Sequence, residues 1–259
     1  MSAPIRVAVA GAAGRMGQEV VRAVGAEGDM EVVAAVDREA GISVHGVRTT
    51  TDLAAALRDS GASVLVDFTV PDAAMPNIRT ALCAKVIPIV GTTGFSPEDL
   101  EEVRHLCEEQ ATAALIAPNF AIGAVLMMRF AAEAARYLPD VEIIEMHHER
   151  KVDAPSGTAA KTAEMIAEAR VASPQGDAPG AFEKFAGARG GRGAGGIPIH
   201  SVRLPGFVAS QEVIFGGAGQ RLSLRHDSID RACFMPGVVL AIRSARTLSG
   251  LVYGLENLL

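Results

Sequence analysis

Five short apolar runs, residues 5–10, 30–37, 64–69, 86–90 and 113–117, alternate with stretches of helical spacing. Strands separated by a helix must lie parallel, and a parallel sheet needs helices on both faces, so this rhythm limits the fold more than any other feature. Val64-Leu65-Val66 is apolar at every position, as suits a strand covered on both sides. The covering helices are expected at 15–24, at 52–59 with Asp52 as N-cap, from Pro71-Asp72 onward, and at 96–109, opened by Ser96-Pro97-Glu98-Asp99. The expected class is α/β, a Rossmann-type doubly wound parallel sheet.

Beyond about residue 119 the rhythm changes. A helix at 122–137 leads to a strand at 141–146, a polar loop and a helix at 158–169. A glycine-rich stretch, 187–196, carries Arg189 and Arg192 and reads either as a mobile flap or as a plain flexible loop. Strand-like runs follow at 199–203, 212–215 and 220–226, then a helical tail at 236–248 expected to pack back on the first domain. These elements predict a second, α+β domain over 120–227 with a mostly antiparallel or mixed sheet. The first domain then comprises 1–119 plus 228–259.

The strand at 5–10 runs directly into Gly11-Ala12-Ala13-Gly14-Arg15-Met16-Gly17 and then a helix. Glycines there permit a tight turn and a close approach of backbone to phosphate, and the helix N-terminus offers N–H groups to a pyrophosphate. The spacing GxxGxxG is a weak signal by itself, but Asp37 stands at the end of the second strand, twenty residues beyond Gly17. Its carboxylate is placed either to accept from an adenosine ribose or to cap the strand end. Arg38 beside it suits adenine stacking or the extra phosphate of NADPH, so both NADH and NADPH are expected cofactors. Two later strands end in Gly91-Thr92-Thr93 and Ala117-Pro118-Asn119-Phe120, loops at the sheet edge where ligands bind in such folds.

The richest segment runs Glu145-Met146-His147-His148-Glu149-Arg150-Lys151-Val152-Asp153-Ala154-Pro155-Ser156-Gly157-Thr158. Fully extended, His147 and Lys151 would stand about 13 Å apart at 3.3 Å per residue. Both can serve one small ring only if the chain curls, as four successive polar residues suggest. Gly157 and Thr158 open a helix whose N–H groups make a carboxylate site. An imidazole and an ammonium beside such a site can move protons while holding an anion. Adjacent histidines on a strand chelate poorly and no cysteine or carboxylate cluster completes a set, so no metal is expected.

This segment strongly resembles the 4-hydroxy-tetrahydrodipicolinate reductase (dihydrodipicolinate reductase) family, whose pattern is E-x-H-H-x-x-K-x-D-A-P-S-G-T. The glycine turn, the Gly91 to Thr93 loop and Ala117 to Phe120 match in order and spacing, and the likeness continues through His200-Ser201-Val202-Arg203 to the tail. The resemblance implies an oxidoreductase of lysine and diaminopimelate biosynthesis. Such an enzyme reduces (2S,4S)-4-hydroxy-2,3,4,5-tetrahydrodipicolinate to tetrahydrodipicolinate with loss of water. It also implies a second domain that binds substrate and builds a homotetramer. By position, it makes His147 the general acid/base and Lys151 the proton donor, with His148, Gly157 and Thr158 on the substrate carboxylates. Gly11, Ala12, Ala13, Gly14, Arg15, Met16, Asp37, Arg38, Gly91, Thr92, Thr93, Ala117, Pro118, Asn119 and Phe120 would line the cofactor. Many relatives carry a histidine where Ser210 stands here, which leaves any role for that position open.

A net charge of −6 and a pI near 5.6 argue against nucleic acid, while a local cationic pocket still suits a small dianionic imine. Cys83, Cys107 and Cys233 are odd in number and without a CxxC, and are expected as buried small hydrophobes in a reducing compartment. The apolar run 7–13 breaks into Gly14-Arg15-Met16-Gly17, unlike a signal peptide, and 120–128 is too short to span a bilayer. Cytoplasmic location is therefore expected. Two other readings use the same fold: a related NAD(P)-dependent amino-acid dehydrogenase, and a nucleotide-sensing module without turnover. Neither accounts for the segment from Lys151 to Thr158.

Overall fold

A computed structural model describes residues 3–177 and 179–259 of the chain. Met1 and Ser2 of the first expected domain, and Ala178 of the second, lie outside them. The chain divides into two compact units. One runs to Phe120 and resumes at Phe234–Leu259, and the other is Ala121–Cys233.

In the first unit β1 (Ile5–Ala10) leads through the glycine turn to α1 (Arg15–Ala26) and β2 (Met30–Val36). A small hairpin follows, β3 (Ser43–Val44) and β4 (Val47–Thr50), which no sequence signal announced. Then come α2 (Leu53–Ser60), β5 (Val64–Asp67), α3 (Pro71–Cys83), β6 (Ile87–Val90), α4 (Pro97–Glu109) and β7 (Ala113–Ile116). Caps decide several boundaries. Asp52 accepts from the Ala55 amide at 2.9 Å to start α2, and Ser96 with Asp99 forms a reciprocal capping box at α4. The strand expected at 64–69 stops at Asp67 because its carboxylate accepts from both the amide and the hydroxyl of Thr69. Outward from β1 the sheet continues to β2 and β4 on one side and to β5, β6 and β7 on the other, all parallel. The chain changes direction between β1 and β5, so their carboxyl ends flank the crevice where doubly wound sheets bind ligands.

The second unit contains α5 (Ile122–Ala135), β8 (Asp140–His147), α6 (Gly157–Ala169), β9 (Gly191–Arg192), β10 (Pro198–Arg203), β11 (Ala209–Gly217) and β12 (Gln220–Ser228). Its sheet runs β12-β11-β8-β10-β9 and is mixed, with β8 and β10 parallel and the other pairs antiparallel. Alternation places Val141, Ile143, Val213 and Phe215 on one face, packed against Met127, Ala131, Ala163 and Ile166 of the two helices. Glu145 shares that parity and is fully buried. On the opposite face Ile144, Glu212 and Ile214 remain half-exposed. The glycine-rich stretch contributes β9, which pairs with β10, and Arg189 and Arg192 face Asp177 at 3.5 and 3.7 Å.

The chain then re-enters the first unit with α7 (Met235–Ser244) and β13 (Gly250–Tyr253). α7 is anchored by Arg243, which pairs with Glu27 and Asp29, and β13 adds a parallel edge strand to β7. One expectation needs correction. Cys107 is buried, and burial pushes its thiol up to about 11, but Cys83 is exposed at the end of α3 and Cys233 is half-buried. Cys83 closes its helix on the solvent side, away from the stripe formed by Ile78, Ala81 and Leu82.

Candidate active site

The glycine turn is built by what its residues lack. Gly11 has φ +74°, and a Cβ there would lie 2.8 Å from the Phe68 carbonyl oxygen. A Cβ on Gly17 would lie 2.1 Å from the Gly11 oxygen, so α1 approaches β1 only because that atom is missing. Gly14 is the N-cap of α1, with no side-chain cap and no acidic residue in the first turn. The helix therefore offers its first amides and its positive dipole end uncompensated, as an anion requires. A cleft of about 1040 Å³ opens beside it, lined by Gly11, Ala13, Gly14, Asp37 and Arg38 together with Phe68, Thr69 and Asn77. This cradle fits the pyrophosphate and adenosine of a dinucleotide. Asp37 does two things here: its carboxylate accepts from the Ala13 amide at 2.8 Å and from the Arg38 amide at 2.7 Å. It thus ties the turn to the end of β2, the capping alternative, while facing the cleft where a ribose would lie. Arg38 is exposed beside it. Ala12 is buried beneath the turn, and Arg15 and Met16 begin the helix outside the lining of the cleft.

The other two loops leave the carboxyl ends of β6 and β7. Gly91 donates to the Asp67 carbonyl and Ala117 to the Val90 carbonyl. A Cβ on Gly91 would enter the Phe68 ring, which also packs on Phe120 with centroids 5.7 Å apart. Thr92 is buried and Thr93 exposed, while Ala117 and Phe120 are buried and Pro118 exposed. Beneath these loops Asp67 is a buried carboxylate that accepts from Thr69, Asn77 and Thr92. It ties the end of β5 to the loop after β6 and, through Asn77, to the middle of α3. Sequence reading took Asp67 only as part of a strand, and a lone acid at a strand end, as at Asp37, was the available signal.

In the second unit the strand β8 ends at His147, and the chain turns at once, with the Lys151 amide donating to the His148 carbonyl at 3.1 Å. The extended geometry that would hold His147 and Lys151 about 13 Å apart therefore ends at His147. His147 Nδ1 lies 2.5 Å from Glu145 Oε2. Arg203, from the neighbouring β10, grips the same carboxylate with both terminal nitrogens, at 2.8 and 2.9 Å. Burial pushes the Glu145 carboxyl up, but hydrogen bonds from His147, Arg203 and Ser201 overcome it and hold the group at about 2. Arg203 also donates to the Asp153 carbonyl at 2.6 Å, and the Ser156 amide reaches Glu145 Oε1 at 3.3 Å. Lys151 Nζ pairs with the Asp153 carboxylate at 2.7 and 2.9 Å, which holds that acid below the usual carboxylate range. Ser156 caps α6 by accepting from the Ala159 amide, so that end is not wholly bare, whereas Gly157 stands in open space. His148 is half-buried with its Nδ1 buried and unpartnered, and Thr158 sits in the first turn of α6. Ser210 is buried and hydrogen-bonds Asp227 across the ladder. The Arg203–Glu145 ion pair escaped sequence reading, since the two side chains are 58 residues apart and meet only through the pairing of β8 with β10.

A doubly wound sheet with a glycine-lined first turn, joined to an α+β unit carrying a histidine on a buried acid, defines a nicotinamide-dependent oxidoreductase of two-domain build. The family model for the dihydrodipicolinate reductase N-terminus matches residues 5–120, and that for its C-terminus residues 123–259. The chain belongs to the dihydrodipicolinate reductase family. It is 54% identical to the 4-hydroxy-tetrahydrodipicolinate reductase of Moorella thermoacetica over 100% of this chain and 99% of that one. With the enzyme of the same name from Desulfitobacterium hafniense (strain DSM 10664 / DCB-2) the identity is 52%, over 98% of each chain. A solved structure, the dipicolinate-bound dihydrodipicolinate reductase from Paenisporosarcina sp. TG-14, superposes with a TM-score of 0.89 at 46% identity, covering 99% of this chain and 100% of that one. The chain is accordingly a reductase that uses NADH or NADPH.

Proposed function

We propose that the chain reduces (2S,4S)-4-hydroxy-2,3,4,5-tetrahydrodipicolinate to 2,3,4,5-tetrahydrodipicolinate in lysine and diaminopimelate biosynthesis. Loss of water leaves the ring one double bond richer, and one hydride and one proton then remove that added double bond, leaving the ring its single C=N. NADH or NADPH, when bound at the glycine turn, supplies the hydride. The remaining work belongs to side chains. The Gly157 and Thr158 amides and His148 hold the two carboxylates of the ring, and Lys151 adds a positive charge to the same dianion. His147 and Lys151 deliver the proton. For Lys151 this means exchanging Asp153 for the substrate, a low-cost exchange because Asp153 is more than half exposed.

One observation carries this reading. His147 stands at the end of a strand on a buried carboxylate that also reaches the N-terminus of α6, so an imidazole and amide donors are held in one rigid frame. The half-exposed face of the second sheet supports a homotetramer built through this unit, which sedimentation would test. No helix among the described residues is long and apolar enough to cross a membrane, and we place the enzyme in the cytoplasm. The decisive assay gives freshly made substrate to the purified protein with NADH and then NADPH. Substrate-dependent loss of nicotinamide absorbance is expected, and none with either cofactor would overturn the assignment.

A further inference from the structure

We propose that Glu145, clamped by Arg203, is the positioning residue that fixes His147 with its proton on Nδ1 and leaves Nε2 to act on the substrate. The inference rests on the reaction proposed above. Glu145 is fully buried yet ionised, and an ionised carboxylate only accepts hydrogen bonds. Its other partners donate, Arg203 to both oxygens, the Ser156 amide to Oε1 and the Ser201 hydroxyl besides, and His147 Nδ1 lies 2.5 Å from Oε2. The tautomer follows from this: with no acceptor role left open on that side, Nδ1 must carry the hydrogen.

The clamp also explains why a buried charge is kept where an apolar side chain would pack at lower cost. Arg203 neutralises it and reaches on to the Asp153 carbonyl, in the loop whose side chains are Lys151 and Asp153. Three segments therefore take their position from one carboxylate: the end of β8, the Lys151 loop and the first turn of α6. In Glu145→Gln, Arg203 still faces both positions, but Oε1 also meets the Ser156 amide, which can only donate, whereas Oε2 meets an imidazole that can turn acceptor, so the amide nitrogen takes the His147 side. There it donates, and the imidazole must turn acceptor at Nδ1 and move its hydrogen to Nε2.

The experiment is nitrogen NMR on protein labelled with 15N-histidine, with His147 identified by its loss in His147→Gln. The neutral imidazole of the unaltered protein is expected as the Nδ1–H tautomer, and that of Glu145→Gln as Nε2–H. Turnover should fall about 100-fold in Glu145→Gln while KM stays within a factor of three. An Nε2–H tautomer in the unaltered protein overturns the proposal, whether or not the variant folds. So does Glu145→Gln with turnover near normal. The His147→Gln control separates the two ideas. If it turns over normally, the assigned reaction role of His147 fails. If it is slow while the unaltered tautomer is Nε2–H, only the positioning role fails.

Discussion

The two units prepare their binding groups by opposite means. At the turn after β1, geometry comes from missing side chains: no Cβ at Gly11 or Gly17, no capping side chain at Gly14. At the end of β8 it comes from side chains that cannot be spared, a buried acid held by a guanidinium and an imidazole. The first arrangement is damaged by adding atoms and the second by removing them. Backbone amides suffice to hold phosphates whose position need only be repeated, whereas a group that moves a proton needs its own hydrogen assigned to one atom.

The largest expected effect tests the second unit. His147→Gln and Lys151→Ala should each lower turnover by roughly 10²- to 10⁴-fold, with NADH binding near normal, because neither side chain belongs to the first unit. Steady-state kinetics with fluorescence titration of NADH decide it, and an equal loss of NADH affinity would erase the contrast. Adding a methyl tests the first unit. Gly17→Ala should destabilise by about 3 kcal/mol, since the new atom meets the Gly11 carbonyl, read by urea unfolding. A neutral result would mean that α1 has room to retreat.

Acid should act on the second mechanism. The folded Glu145 carboxyl, near 2, lies below its ordinary 4.5, so its stabilisation is complete above about pH 4.5 and lost as pH falls toward 2. That is worth about 3 kcal/mol at neutral pH, and the advantage of the unaltered protein over Glu145→Gln should narrow between pH 5 and pH 3. A constant gap between the two unfolding curves would contradict it. The smallest effect sharpens the role of Asp37. Asp37→Ala should weaken NADH about 10-fold and NADPH less, because both lose the support of Ala13 but only the unmodified ribose loses an acceptor. Equal losses measured by titration would leave Asp37 a loop tie and nothing more.

The fold was legible where signals are local. The order of strands and helices, the Asp52 cap and the Ser96 box are written within a few residues of where they act. The β3–β4 hairpin was not, since strands of two and four residues carry no readable alternation. Nor was β13, whose Gly250 start and single turn of pattern matter only because β7 has an open edge. In the site, the glycine turn and the His147 to Thr158 segment were visible because each is contiguous. The Asp67 ties and the Arg203 clamp join residues distant in the chain, and nothing at either position alone distinguishes a partner-holding polar group from a solvated one.

The placement of β13 has a consequence for how the molecule comes into being. This strand completes the sheet by pairing with β7 after the whole second unit has intervened in the chain, the longest closure of any strand pair among the described residues. During vectorial synthesis β7 is therefore an open, adhesive margin until residues 250–253 have emerged. The second unit, contiguous and shorter in its closures, is free to mature while the nucleotide-binding half waits for its last strand.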